Sequence, residues 1–149
     1  MYGRWEARVK VDAGGGYAPN VLLWPNKGKW PDDGEINLLE IPAADRQKGL
    51  HYLHNRDKFN KCDWPLHADF THWHTVAVEW LPQSVTFYLD GRRTLRVTDP
   101  SLIPSTRPME LVLQLDPGCD NGFITECRGP NTPRWVRMYV DWVKVYRRR

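Results

Sequence analysis

The sequence predicts an all-β fold, with antiparallel strands arranged as a sandwich of two packed sheets. Three observations lead there. Apolar and polar residues alternate with the period of a half-buried strand, first in Trp5, Ala7, Val9 and Val11 set between Arg4, Glu6, Arg8 and Lys10. No segment of useful length carries a helical period. Eleven glycines and twelve prolines in 149 residues fall between the alternating runs as turn punctuation.

The elements follow in chain order. Arg4–Val11 is the first strand. Val21–Trp24 is a short apolar run, and Gly34–Ile41 is a strand opened by Gly34 and closed by Pro42. Leu50–His54 is a further strand. Trp73–Trp80 and Ser84–Leu89 pair through Pro82-Gln83. Asp90-Gly91 is a hairpin signal, because glycine accepts the positive φ of a tight turn. Thr94–Val97 returns from it, and Glu110–Leu115 and Arg137–Tyr146 complete the set. The length suits one domain over 1–149 with a sizeable core.

Composition narrows the function classes. Hydrophobic residues make up 41% and charged residues 26%, which is ordinary for a soluble globular chain. No stretch approaches the length of a membrane span, so no membrane association is expected. The net charge of +3 is mild. Arg147-Arg148-Arg149 reads as a solvated tail, and Arg92, Arg93 and Arg96 sit on a hairpin rather than in a dense basic stripe, so no nucleic-acid partner is expected. Cys119 and Cys127 bracket a loop rich in Asp, Asn and Gly. A disulfide across it suits a secreted protein and leaves Cys62 free. Three widely spaced cysteines make no zinc site. His72 and His74 share a strand face without a third ligand, and a structural role is expected for both.

Glu35-Ile36-Asn37-Leu38-Leu39-Glu40 holds two acids five positions apart in an apolar strand. Side chains alternate faces, so Glu35 and Asn37 share one face while Glu40 would point into the core. An unpaired carboxylate there is very costly. Two readings answer this. Glu40 sits in a solvated turn before Pro42, or a β-bulge at Leu38–Leu39 resets the parity and returns Glu40 to the face of Glu35, with Ile36 and Ile41 inward. In the second case two carboxyls face one cleft, as glycoside hydrolysis requires.

The motif closely resembles the E-x-D-x-x-E signature of glycoside hydrolase family 16 in its laminarinase-like, bulged form. Tyr2-Gly3-Arg4-Trp5-Glu6-Ala7-Arg8 resembles the family's "YGRFEAR" strand, and Gly14-Gly15-Gly16-Tyr17-Ala18-Pro19 with Leu22-Leu23-Trp24-Pro25 its glycine-rich approach to the cleft. Trp73-His74-Thr75-Val76-Ala77-Val78-Glu79-Trp80 is similar to its "FHTYAVEW" strand. Phe87-Tyr88-Leu89-Asp90-Gly91 and Val140-Asp141-Trp142-Val143-Lys144-Val145-Tyr146 are similar to its later hairpin and closing strand. The matches keep the family's order over nearly the whole chain.

The resemblance implies a concanavalin A-like jelly roll with a cleft across the concave sheet. It implies a retaining endo-β-glucanase acting on β-1,3 or mixed β-1,3-1,4 glucan, with Glu35 as nucleophile, Glu40 as acid/base and Asn37 in the aspartate position. Polysaccharide is the expected partner and the location extracellular. Among the eight tryptophans, Trp80 and Trp142 are expected in the core, whereas Trp24, Trp30, Trp64 and Trp135, beside prolines and polar turns, are cleft-wall candidates able to stack on sugars. His51, His54, Gln114 and Asp116 are further candidates for the cleft. No cofactor is expected. The resemblance allows a structural calcium on the convex side, with Asp141 as the matching residue.

Two departures from the family pattern matter. Strands that precede the "YGRFEAR" segment in the family have no counterpart before Met1, and no signal peptide is visible. The expectation is an N-terminally shortened chain whose open sheet edges favour a dimer or a completing partner. Asn37 removes a negative charge from the site. Its amide can still donate to Glu35, but Glu40 should titrate lower than beside an aspartate, giving weaker catalysis and a more acidic optimum. A non-catalytic carbohydrate-binding module of the same fold is the alternative, and a fragment without a stable fold is a third.

Overall fold

A computed structural model of the protein describes residues 1–117, 126–130 and 132–147, apart from the side chains of residues 58–60. Ten strands fill it: β1 (Gly3–Val11), β2 (Tyr17–Pro25), β3 (Glu35–Glu40), β4 (Lys48–Asn55), β5 (Asp57–His67), β6 (His74–Leu81), β7 (Ser84–Leu89), β8 (Arg92–Val97), β9 (Met109–Pro117) and β10 (Met138–Tyr146). They form two five-stranded sheets, ordered β10-β1-β6-β7-β8 and β5-β4-β3-β2-β9, with every pairing antiparallel.

Alternation in the sequence becomes alternation in burial. In β1, Trp5, Ala7, Val9 and Val11 are buried and the residues between them are not. These side chains meet Val21, Leu23, Ile36, Leu39 and Leu53 of the second sheet in one continuous core. Trp80 is fully buried there, and its indole N–H donates to the Pro104 carbonyl at 2.9 Å. Between β7 and β8, Asp90 and Gly91 both take positive φ, +49° and +78°, as the tight turn demands.

Two expectations need correction. The run Asp57–His67 forms a strand that the sequence did not announce. It carries Pro65 and several charges because it is a sheet edge, where such residues protect against further pairing. Trp142 is not core. It is half-buried on edge strand β10, beneath the Lys144 ammonium at 4.3 Å from its ring. His72 and His74 have structural partners: His74 bridges the Asp90 carboxylate and the Asp69 carbonyl, and His72 pairs with Asp69. Cys62 is free, and Cys127 is disulfide-bonded. Cys119, its expected partner, lies outside the described residues.

Among the described residues the sandwich has one open flank. His51 of β4 contacts Phe87 of β7 and Thr94 of β8, so β8 lies over the β4–β5 side, and edge strands β10 and β9 share the opposite side. On β10, Val140, Val143 and Val145 pair with Val9, Ala7 and Trp5 and therefore share their inward face. Yet these valines are 46%, 41% and 57% exposed. On β9, Leu111, Leu113 and Leu115 lie inward and are only partly buried. Among the described residues nothing covers this apolar gap.

Arg46 fastens the loops next to the cleft sheet. It is fully buried, with positive φ of +58°. Its guanidinium donates to the carbonyl oxygens of Asp12, Gly14, Tyr17, Ile41 and Ala43. Those are the residues that lead into β2 and out of β3.

Candidate active site

The cleft is built on β3. Gly34 opens the strand with φ +81°, and a side chain there would collide with Pro104 and the His54 carbonyl. Pairing with β2 runs Leu22↔Asn37, then Val21↔Leu39, which leaves Leu38 as the extra residue. Pairing with β4 skips in the same place, between Asn37↔Tyr52 and Glu40↔Leu50. This is the bulge that the motif called for. Leu38, Leu39, Ile36 and Ile41 are all fully buried, while Glu35 and Glu40 both line the cleft.

His51 sits opposite the bulge and holds it. Its Nδ1 lies 2.7 Å from the Leu38 carbonyl oxygen and its Nε2 2.7 Å from the Thr94 hydroxyl. Burial pushes the imidazole down to about 4, so the ring is neutral at ordinary pH. The carbonyl can only accept, so Nδ1 carries the proton and Nε2 accepts from Thr94. The expectation that His51 contacts substrate is therefore corrected: it is fully buried, stacked on Phe87, and faces the core.

Asn37 ties the two acids together. Its Nδ2 donates to Glu35 Oε1 at 2.9 Å and to Glu40 Oε1 at 2.5 Å. The sum of those contacts puts a ceiling of about 5.4 Å on the separation of the two oxygens. Asn37 Oδ1 is buried without a partner, and the reverse amide orientation would set that oxygen against both carboxyls. A second donor, Trp30 Nε1, reaches Glu35 Oε2 at 2.7 Å.

These contacts separate the acids electrostatically. Burial pushes Glu40 up to about 8, and the charge of Glu35 adds to that. Glu35 is also raised by burial, but the donors Asn37 and Trp30 oppose the shift. At neutral pH Glu40 therefore keeps its proton. Pairs of carboxyls pushed apart in this way divide into a proton donor and an ionised partner.

The walls come from neighbouring strands. A hollow of about 300 Å³ is lined by Asn20, Leu22, Trp24, Glu35, Glu40, Val112 and Gln114. It runs into a second of about 440 Å³ that adds Trp30, Tyr52, His54 and Asp116. Tyr52 stacks on His54 at 4.7 Å, and His54 meets Trp30 edge-on at 5.7 Å, so an aromatic wall leads up to Glu35. Trp24, Trp30, His54, Gln114 and Asp116 thus lie where the sequence placed them. Trp64 and Trp135 do not line either hollow: Trp64 pairs with His51 and shares its face, and Trp135 is 67% exposed elsewhere. Sequence reasoning missed Asn20 and Tyr52, whose position opposite Glu40 and Asn37 emerges only from strand register.

Asp141 is paired with Arg8 on the first sheet, and no group of three or more His, Cys, Asp or Glu among the described residues could hold a cation.

Comparison with known proteins gives a consistent result. The profile of the glycosyl hydrolases family 16 matches residues 1–144. A β-glucanase of Rhodothermus marinus is 25% identical over 98% of this chain and 57% of its own length. A β-glucanase of Brevibacillus brevis is 27% identical over 96% of this chain and 55% of its own length. The laminarinase catalytic domain from Thermotoga maritima MSB8 superposes with a TM-score of 0.85 at 24% identity, covering 99% of this chain and 64% of that one. This is the jelly-roll sandwich expected from the sequence. The chain spans a little over half the length of these curated relatives.

Proposed function

The chain belongs to the glycosyl hydrolases family 16, and on that premise we propose that it cleaves internal bonds of a β-1,3- or mixed β-1,3-1,4-glucan with retention of configuration. One observation carries the proposal: a single amide bridges two carboxyls in one cleft. The ceiling of about 5.4 Å between their facing oxygens suits the separation of about 5–5.5 Å used by retaining glycosidases and falls short of the roughly 6.5–9.5 Å of inverting ones.

The roles follow from the titration order. Glu35, stabilised as a carboxylate by Asn37 and Trp30, attacks the anomeric carbon. Glu40, still protonated, gives its proton to the departing glycosidic oxygen as that bond breaks. Glu40, now ionised, takes a proton from water, whose oxygen displaces Glu35 from the sugar. The acid is restored, and the product keeps its configuration. A polymer is met outside the cell, and the bonded Cys127 agrees with an oxidising compartment. The uncovered valines of β10 and leucines of β9 support a strand-bearing partner, or a second copy, along the open flank.

The test is reducing-sugar release from laminarin by the purified chain. Endo-cleavage with a β-configured first product supports the reading. Retention of laminarin without release, unchanged in a Glu35→Gln variant, would establish a binding module instead, the reading that Asn37 favours.

A further inference from the structure

Asn20 is only 8% exposed, yet its carboxamide makes no hydrogen bond among the described residues, and its Oδ1 is fully enclosed. A nearly buried amide without a partner is costly and rare in a folded chain, and its Nδ2 is not among the enclosed atoms and remains open to a ligand. Asn20 lines both hollows of the cleft. Strand register puts it directly between Glu40 on β3 and Gln114 on β9. Residues opposite one another on neighbouring strands have Cβ atoms about 5 Å apart. Glu40, Asn20 and Gln114 therefore form a row across the sheet, leading away from the acids on the side opposite Tyr52 and His54. Gln114 is exposed and also has no hydrogen-bond partner among the described residues. Tyr52 and His54 stand on one side of the acids, and the two amides Asn20 and Gln114 on the other, beside Glu40.

We propose that Asn20 is a substrate-positioning residue that holds the leaving-side sugar beside Glu40. The inference rests on the hydrolase reading above. Asn20 Oδ1 is enclosed, so the group that the cleft can reach is the amide Nδ2, which donates, and a sugar hydroxyl oxygen accepts. The sugar on the far side of the breaking bond carries the oxygen that Glu40 protonates. A hydroxyl of that sugar reaching the Asn20 amide would fix this oxygen against the acid. Gln114 extends the same row.

The experiment compares two substrates for the unaltered chain and Asn20→Ala. In laminarin the leaving group is a glucan. In 4-nitrophenyl β-laminaribioside it is nitrophenolate, which has no hydroxyl for Asn20 and needs no proton. The variant should lose about ten-fold in kcat/KM on laminarin, the order expected for one lost hydrogen bond, and remain within two-fold on the aryl substrate. Asn20→Gln or Asn20→Ser should recover part of the loss. Its thermal midpoint should be unchanged or higher, since an unpaired buried amide has been removed. Equal loss on both substrates, or a lowered midpoint with it, would mark Asn20 as structural and overturn the inference. No loss on either would also overturn it. Inactivity of the unaltered chain on both substrates would instead sink the hydrolase reading, and this inference with it.

Discussion

Replacing Glu40 by glutamine should make the protein more stable at neutral pH while abolishing turnover of laminarin. The magnitude follows from the proton that Glu40 retains. Its carboxyl titrates near 4.5 when unhindered and at about 8 in the fold. Below about 4.5 both folded and unfolded chains hold the proton, and Glu40 has no effect on the balance. Between about 4.5 and 8 the unfolded chain releases it and the folded chain does not, so stability falls as pH rises; above 8 the loss is complete. At pH 7 the gap of two and a half units corresponds to about 3 kcal/mol. Glutamine does not titrate, and its carbonyl oxygen can still accept from Asn37. Urea unfolding of both proteins at pH 5 and pH 7 tests this, since Glu35 titrates in both and the comparison isolates Glu40. The variant's advantage should grow from under about 1 kcal/mol to about 3 kcal/mol. A constant advantage at both values would refute the argument that burial holds Glu40 protonated.

Other substitutions probe the same site and its support. Asn37→Asp adds a like charge beside Glu40 and should move the alkaline limb of the kcat/KM profile upward by on the order of one unit or more; an unmoved limb would remove the electrostatic account of this position. Trp30→Phe deletes a donor to Glu35, so the acidic limb should move upward while the alkaline limb stays in place, read from the same profile. Arg46→Ala leaves several buried carbonyls without donors and should lower stability by about 3 kcal/mol or more, with little recovery in Arg46→Lys, whose compact ammonium cannot span them. Chemical denaturation measures that loss.

Much of the framework was legible in the order of residues. The alternation of Trp5 through Val11 gave β1 its buried face, and Asp90-Gly91 gave its turn. The spacing of Glu35 and Glu40 required a bulge, because parity is a local rule and the cost of an inward carboxylate is large. What stayed hidden depended on neighbours far away in the chain. Asp57–His67 lacked the apolar face of an interior strand because it forms an edge. His51 and His54 look alike in sequence, yet one enters the core and the other the cleft, since they stand an odd number of positions apart on one strand. Asn20 is an ordinary polar residue until β2 is set between Glu40 and Gln114. Trp142 alternates with Val140 like a core position, but the register shift at Arg8/Val9 pairs it with Arg8 and turns it to the outward face.

Arg46 has a consequence for motion. Its five acceptors come from two stretches that are remote in sequence, Asp12–Tyr17 and Ile41–Ala43, and one planar cation serves both. Neither stretch can swing away alone, because its departure strips donors from a group that the other still grips. Backbone amides in the two stretches should therefore exchange with deuterium at a common opening free energy, as one cooperative unit rather than two fraying loops. The end of the cleft nearest Glu40 would then open only in large, infrequent excursions.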